Sequence, residues 1–140
     1  MQAAAMAIGS AVRHDEGVLV VDAANVVGSR PTGWWRDRPG AAAGLWRDLV
    51  VAVGSERLQP PVVVVLEGAA RRGVAEGEEA GVRVVHAAGS GDDAIVELVA
   101  HAVAQAQTVR VVTADRGLRD RVVSGGAEVR GPRWLLGCLE

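Results

Sequence analysis

Short runs of valine, each followed by a longer segment of different character, constrain the fold of this chain more than any other feature. The runs span residues 18–23, 62–67, 82–87 and 109–114, with a weaker one at 127–130. Valine that is nearly continuous, rather than alternating with polar residues, indicates strands covered on both faces. The sequence therefore predicts a mostly parallel sheet with helices on each side.

The segments between the valine runs have the spacing of helices. Pro39 is suited to a first helical turn and leads into a predicted helix over 41–54. The clearest helix is predicted over 92–107, where apolar residues recur on one face, and Ser90 precedes it with the spacing of a capping box. Two further helices are predicted, at 117–124 and from about Pro132, while residues 68–81 fit no element.

This alternation of strands and helices predicts an α/β protein, a three-layer α/β/α sandwich with a doubly wound, Rossmann-like sheet. The length of 140 residues suits one domain, which we assign to residues 17–140. Residues 1–16 are predicted to be a flexible N-terminal tail, with Met6 as a second candidate start. The tail has neither the basic segment nor the apolar length of a secretion signal. The single cysteine, Cys138, fits a reducing compartment, so we expect a cytoplasmic protein with no membrane partner.

The absence of lysine removes several classes of enzyme. All 15 basic residues are arginine, so Schiff-base chemistry, P-loop nucleotide hydrolysis and kinase activity are excluded. The segment after the first strand lacks the glycine pattern of a dinucleotide site, and no Ser, His and Asp pattern suggests a serine hydrolase. The net charge of −2 gives no global preference for nucleic acid, although a local arginine surface would supply one.

Acidic residues follow four of the predicted strands. They are Asp22, Glu67, the pair Asp92 and Asp93, and Asp115. The carboxyl ends of parallel strands share one edge of a sheet, where α/β proteins bind ligands. Carboxylates brought together there repel one another unless a cation lies between them, and Mg²⁺ and Mn²⁺ prefer oxygen ligands. The pattern predicts metal-assisted hydrolysis of a phosphodiester. Each acid also has a simpler interpretation, as a turn residue or a helix cap.

Three motifs resemble the NYN domains, a branch of the PIN-like nucleases. They are VLVVDAANVVGSR at 18–30, SGDDAIVELV at 90–99 and VVTADRGLRDRV at 111–122, and RPTGWWRDRPGAA from Arg30 is similar to actinobacterial members of the bacterial single-domain group. The resemblance implies a magnesium- or manganese-dependent ribonuclease acting on structured RNA. By position in these motifs, Asp22, Asp92 and Asp115 match the metal-binding acids.

The resemblance also assigns supporting residues. Asn25 matches a family asparagine that helps to position the metal site, and Asp93 and Glu67 match supporting acids. Ala23 and Ala114 stand where many relatives have glycine and serine, and both substitutions keep the residue small. With Asn25, the three metal-binding acids form the predicted catalytic set.

Arginine and tryptophan near these motifs are candidate RNA contacts, because arginine pairs with phosphate and tryptophan stacks on bases. The predicted substrate-binding residues are Arg30, Trp34, Trp35, Arg36, Arg38 and Arg116. Residues Arg71, Arg72, Arg119, Arg121, Arg130 and Arg133 are candidates for a basic rim. The alternative interpretation is that one tryptophan belongs to the core and the arginines are solvated.

Other functions stay open on the sequence alone. The acids would be structural in a catalytically inactive RNA-binding or protein-binding module, and a toxin of a toxin–antitoxin pair would share the chemistry. An antitoxin-like protein partner and a homodimer are both compatible with the sequence. His86, at the end of a predicted strand, is either a ligand or proton donor of the site or a satisfied strand-end residue.

Overall fold

The computed structural model describes residues 17–140, and the predicted tail over 1–16 lies outside the described residues. Six strands form one sheet in the order β3-β4-β2-β1-β5-β6. Their bounds are Val18–Asp22 (β1), Val62–Leu66 (β2), Gly77–Glu79 (β3), Val82–His86 (β4), Val109–Val112 (β5) and Glu128–Arg130 (β6). All neighbours pair in parallel except β3, which is antiparallel to β4 at one edge. The predicted mostly parallel sheet is confirmed.

Within residues 17–140, five α-helices cover the sheet. They span Ala23–Gly28 (α1), Arg38–Gly54 (α2), Gly91–Ala104 (α3), Arg116–Ser124 (α4) and Pro132–Leu139 (α5), and two 3₁₀ helices lie at Trp34–Arg36 and Gly68–Gly73. None of the helices in residues 17–140 has the length and apolar character needed to cross a bilayer.

Alternate residues of the strands point into two separate cores, which makes the sandwich three-layered. In β1, Leu19 and Val21 pack with α1, α2 and α5, whereas Val20 packs with α3 and α4 on the opposite face. Both faces of the strand are therefore buried, which explains why its valines are continuous rather than alternating. The predicted three-layer α/β/α sandwich is confirmed.

The helix predicted over 92–107 is shorter in the structure, since α3 ends at Ala104. Ala106 has a φ of 62°, and the amide of Gln107 donates to the carbonyl of Ala102. This left-handed turn reverses the chain so that β5 can begin beside β1. The apolar face of the sequence continues past the turn, and periodicity alone could not show where the helix stops.

Two short helices, one of them followed by a strand, lie after strand ends where the sequence predicted no element. The six-residue helix α1 begins directly after Asp22, and residues 68–81, which fitted no element, contain a 3₁₀ helix and β3. Both helices are too short to give a periodic signal.

Candidate active site at the carboxyl edge of the sheet

Asp22 is the most enclosed acid at the carboxyl edge of the sheet. It ends β1 and caps α1, and only 5% of its surface is exposed. Its Oδ2 accepts hydrogen bonds from Asn25 Nδ2 and from Thr113 Oγ1, each at 2.8 Å. Its Oδ1 accepts a longer one, 3.4 Å, from the amide of Asn25. These donors fix the orientation of the Asp22 carboxylate, which is poorly accessible to water.

Asn25 and Thr113 join the ends of β1 and β5 around this carboxylate. The Asn25 side chain also accepts from the amide of Ala114 at 3.2 Å, and Thr113 Oγ1 accepts from the amide of Asp115 at 3.1 Å. Thr113 is buried, and no sequence motif assigns it a role at the acidic edge. Its place two residues before Asp115 at a strand end was the available signal, because a hydroxyl there can bridge the acids of neighbouring strands.

Asp92 and Asp115 lie at helix N-termini, where acids are favoured by the helix dipole. Asp115 caps α4 by accepting from the amide of Leu118 at 2.9 Å. Asp92 is the second residue of α3, whose cap is Ser90, as the capping-box spacing predicted. The interpretation of Asp115 as a helix cap is therefore correct. Only one of the two Asp115 carboxylate oxygens makes the capping hydrogen bond.

Asp93 and Glu67 have other partners. Asp93 is exposed and pairs with Arg121, with Oδ1 3.1 Å from the guanidinium. Glu67 follows β2, and its Oε1 accepts a short hydrogen bond from the amide of Gly91 at the start of α3. Each of these two carboxylates therefore already uses one oxygen in a contact within the protein.

The acids interact electrostatically across the edge. Burial raises the pKa of Asp22, and the charge of Asp92 raises it further, while hydrogen bonds from Thr113 and Asn25 act in the opposite direction. The pKa of Asp92 is also raised, first by burial and then by Asp115 and Glu67. Carboxylates from four strand ends therefore form one cluster, in which Asp92 is the acid that the others repel.

This cluster is not a closed metal cage. Within residues 17–140, no group of three or more His, Cys, Asp or Glu side chains could hold a metal ion as it stands. The predicted trio of Asp22, Asp92 and Asp115 shares the edge, but the structure does not gather the three into such a group. The donor atoms are nevertheless all oxygen, which is the donor set that Mg²⁺ and Mn²⁺ prefer.

The predicted substrate-binding residues lie in the segment between α1 and α2, at the first residue of α2 and at the start of α4. Trp34 is half-buried against one core, and Trp35 is 58% exposed. The guanidinium of Arg36 lies 5.8 Å from the Trp35 ring centre, and that of Arg38 lies 5.4 Å from the Trp34 ring centre. The alternative interpretation is correct for Trp34, which packs inward, whereas Trp35 faces solvent and stays a predicted RNA contact.

Arg30 and Arg116 differ in their surroundings. Arg30 pairs with Asp48 at 2.9 Å, so its charge is already engaged in a structural ion pair. Arg116 is exposed on the first turn of α4, next to Asp115. Of these two residues, Arg116 is therefore the better placed to meet a phosphate at the acidic edge.

The remaining candidates make mostly structural contacts. His86 Nε2 lies 2.8 Å from the carbonyl of Val74, so its ring is satisfied at the strand end. Arg71 donates to the carbonyls of Gly68 and Ala87, Arg121 pairs with Asp93, and Arg130 lies 3.7 Å from Glu128. Arg72, Arg119 and Arg133 are exposed.

Solved structures share this arrangement of strands and helices. Rae1 (YacP) from Bacillus subtilis matches with a TM-score of 0.71 and 20% sequence identity, over 87% of this chain and 72% of that one. This chain therefore has a PIN-like α/β fold. A single-substitution mutant of Rae1 matches with a TM-score of 0.68 and 19% identity, over 88% of this chain and 74% of that one. At these identities the likeness shows the fold alone. Neither a protein-family model nor a curated protein matches the sequence.

Proposed function

We propose that this protein is an endoribonuclease that hydrolyses RNA phosphodiester bonds with Mg²⁺ or Mn²⁺ at the carboxyl edge of its sheet. The observation that carries the proposal is the buried Asp22 carboxylate, which is held by Asn25 and Thr113 and repelled by Asp92, an acid that Asp115 and Glu67 repel in turn. Placing a desolvated carboxylate among like charges costs stability, and such arrangements are typical of functional sites. The NYN resemblance of the sequence motifs supports RNA as the substrate.

The cation would rest on Asp22 and Asp92, with the remaining oxygen of Asp115 available to it. Mg²⁺ commonly binds one or two carboxylates and keeps several waters, so a closed cage of protein ligands is not required. When bound, the metal would neutralise charge on the phosphate and lower the pKa of a bound water. Glu67 and Asp93 would assist through their charge, since each already has a partner of its own.

The protein's own residues would orient the reaction. Asn25 and Thr113 fix Asp22 from two sides and tie β1 to β5, so the ligand oxygens of both strand ends keep their relative positions. Arg116 would bind the phosphate beside Asp115, and Trp35, Arg36 and Arg38 would bind the flanking RNA. Arginine is the only basic residue available for this purpose.

Cleavage of a structured RNA in the presence of Mn²⁺ tests the proposal. Asp22→Asn keeps an acceptor for Thr113 and Asn25 but removes the charge that would hold the cation. We expect at least a hundredfold loss of cleavage, the scale seen when a key charge-stabilising group is removed. Asp120→Asn is the matched control, because Asp120 is an exposed acid on α4 away from the cap of that helix.

Two results would reject the proposal. Cleavage that is unchanged in the folded Asp22→Asn variant would show that the edge is not the active site. Binding of RNA without any response to Mn²⁺ or Mg²⁺ would favour the catalytically inactive binding module instead.

A further inference from the structure

We propose that a cleft beside the acids binds one unstacked base of single-stranded RNA, next to the phosphate that is cut, and prefers cytosine to uracil. The rim of this cleft, here called the Trp34 cleft, is formed by Trp34, Arg38 and Glu67. The link to the cut phosphate rests on the proposed function, whereas base binding itself does not.

The Trp34 cleft has an apolar floor and a charged rim. Small side chains from α1, α2 and the 3₁₀ helix at Gly68–Gly73 form the floor, among them Ala23, Ala42 and Ala70. Its volume of about 60 Å³ is smaller than a nucleobase, so it would receive the edge of a base rather than enclose it. The flat face of that base would then stack on the wall of the cleft.

The wall that can hold a base is the indole of Trp34. Trp34 packs against the core, and Trp35 meets it edge to face, with ring centres 5.9 Å apart and planes at 89°. The Arg38 guanidinium lies 5.4 Å from the centre of this ring, so the surface offered to a base is that of the Trp34–Arg38 pair, and fixing it costs little side-chain entropy. Base stacking on aromatic side chains and on arginine is a general mode of single-strand binding, and Arg38 lies at the same ring.

The cleft and the acidic cluster meet at Glu67, which belongs to both. A base bound in the cleft would therefore lie next to the acids. Ala23 of the cleft floor directly follows Asp22 in the chain. Glu67 of the rim accepts from the amide of Gly91, the neighbour of Asp92. A strand whose phosphate lies against the acids would therefore have an adjacent base at Trp34.

Glu67 gives the cleft its expected preference. Its Oε1 is occupied by the Gly91 amide, and the second oxygen is available to a ligand at the rim. Carboxylates accept from the amino group of cytosine, whereas uracil presents a carbonyl oxygen at that position, which a carboxylate repels. The two pyrimidines have rings of equal size, so this difference in edge chemistry would decide between them.

Equilibrium binding of short oligocytidylate and oligouridylate tests the inference, measured by fluorescence anisotropy at low salt with a chelator present. We expect oligocytidylate to bind the wild type more tightly than oligouridylate, and Glu67→Gln to reduce that difference. Trp34→Leu should weaken binding of both by about tenfold, the scale of losing one stacked base, while Trp34→Phe should retain most of the affinity.

Trp134→Leu is the matched control for Trp34. Trp134 is also half-buried and also has an arginine on its ring, Arg110 at 5.6 Å, but it lines a different pocket with Gly17 and Leu58. If Trp34→Leu fails to fold, Arg38→Gln compared with Arg47→Gln on the same helix provides the second test. Arg38 lines the cleft and Arg47 does not, so only the first variant should bind weakly.

Equal affinities of the wild type and the folded Trp34→Leu variant would overturn the inference, as would an equal loss in Trp134→Leu. A wild type that binds both oligonucleotides equally would overturn the base preference. No metal or turnover enters this measurement, so it can fail while the cleavage test succeeds, and the reverse.

Discussion

At the scale of single residues, Asp22 is an acid that the fold encloses at a cost in stability. Its carboxylate is buried beside other acids, so burial and the charge of Asp92 both raise its pKa. Hydrogen bonds from Asn25 and Thr113 offset only part of this effect. The charged form is therefore less favourable in the folded protein than in the unfolded chain, and Asp22 destabilises the metal-free fold wherever it is ionised.

The pH dependence of stability follows from the sign of this shift. The unfolded pKa is 3.8 and the folded pKa is higher, so the folded state binds the proton more tightly. Stability of the metal-free protein is then lost as the pH rises from the first value through the second, and the loss is complete above the folded pKa. Asp22→Asn should raise the melting temperature at neutral pH in chelator, with the gain disappearing towards pH 3.8.

Thermal unfolding across this pH range, followed by circular dichroism, measures the effect. Asp120→Asn serves again as the control and should show no comparable gain at neutral pH. An Asp22→Asn variant that is less stable than the wild type at neutral pH would contradict the conclusion that the Asp22 charge destabilises the metal-free fold.

At the scale of elements, the geometry of the site depends on how each strand connects to the helix that follows it. β1 passes directly into α1 through the Asp22 cap, and β5 reaches α4 through Thr113 and the Asp115 cap. The carboxylates are thus both helix caps and candidate ligands, and neither interpretation of these acids excludes the other. The Trp34 cleft depends in the same way on α2 and the 3₁₀ helix at Gly68–Gly73, which pack closely together.

Gly73 tests the contact between these two elements. A Cβ placed on Gly73 would overlap the carbonyl oxygen of Pro39 in the first turn of α2, and a backbone atom cannot move away as a flexible side chain can. Gly73→Ala should therefore destabilise the protein by about 1–3 kcal/mol, the usual cost of overpacking. It should also weaken oligonucleotide binding at the Trp34 cleft, because both elements line that cleft.

Gly54→Ala is the matched control, since it lies at the last position of α2 with nothing within 4 Å of the added methyl group. Urea denaturation of both variants provides the comparison. A Gly73→Ala protein as stable as Gly54→Ala would show that the two elements do not pack as closely as described.

At the scale of the whole molecule, the acids of the carboxyl edge adjoin a surface formed by Trp34 and Arg38. The two meet at Glu67, which lines the Trp34 cleft. The net charge of −2 conceals this division, because the arginines and the acids nearly balance. Repulsion among the acids is present whenever the edge is without a cation. A cation that binds only the folded state should therefore stabilise the entire domain.

Metal binding should appear as a rise in the melting temperature that depends on cation concentration. At a hundredfold excess over the dissociation constant, linkage gives about 2.7 kcal/mol of added stability. Mn²⁺ and Mg²⁺ should produce the rise in the wild type and in Asp120→Asn, and Asp22→Asn should reduce it strongly. An equal rise in all three proteins would indicate that the cation binds elsewhere.

The sequence by itself determined the class of fold and the edge at which the acids meet. Runs of valine require cover on both faces, and the parallel strands that result carry their following residues to a common edge. Asp22, Glu67, Asp92 and Asp115 could therefore be predicted as neighbours without coordinates. Local signals likewise predicted the Ser90 cap, because capping depends on residues close together in the chain.

Only the tertiary structure decided which groups are bonded to which. Thr113 and Asp22 are 91 residues apart, and their hydrogen bond exists because β5 pairs with β1. The contact of Glu67 with Gly91 and the cleft that Trp34, Arg38 and Glu67 share arise from packing between distant segments in the same way. Periodicity and spacing describe one element at a time, whereas the orientation of a side chain at the site is set by partners that the sequence does not place beside it.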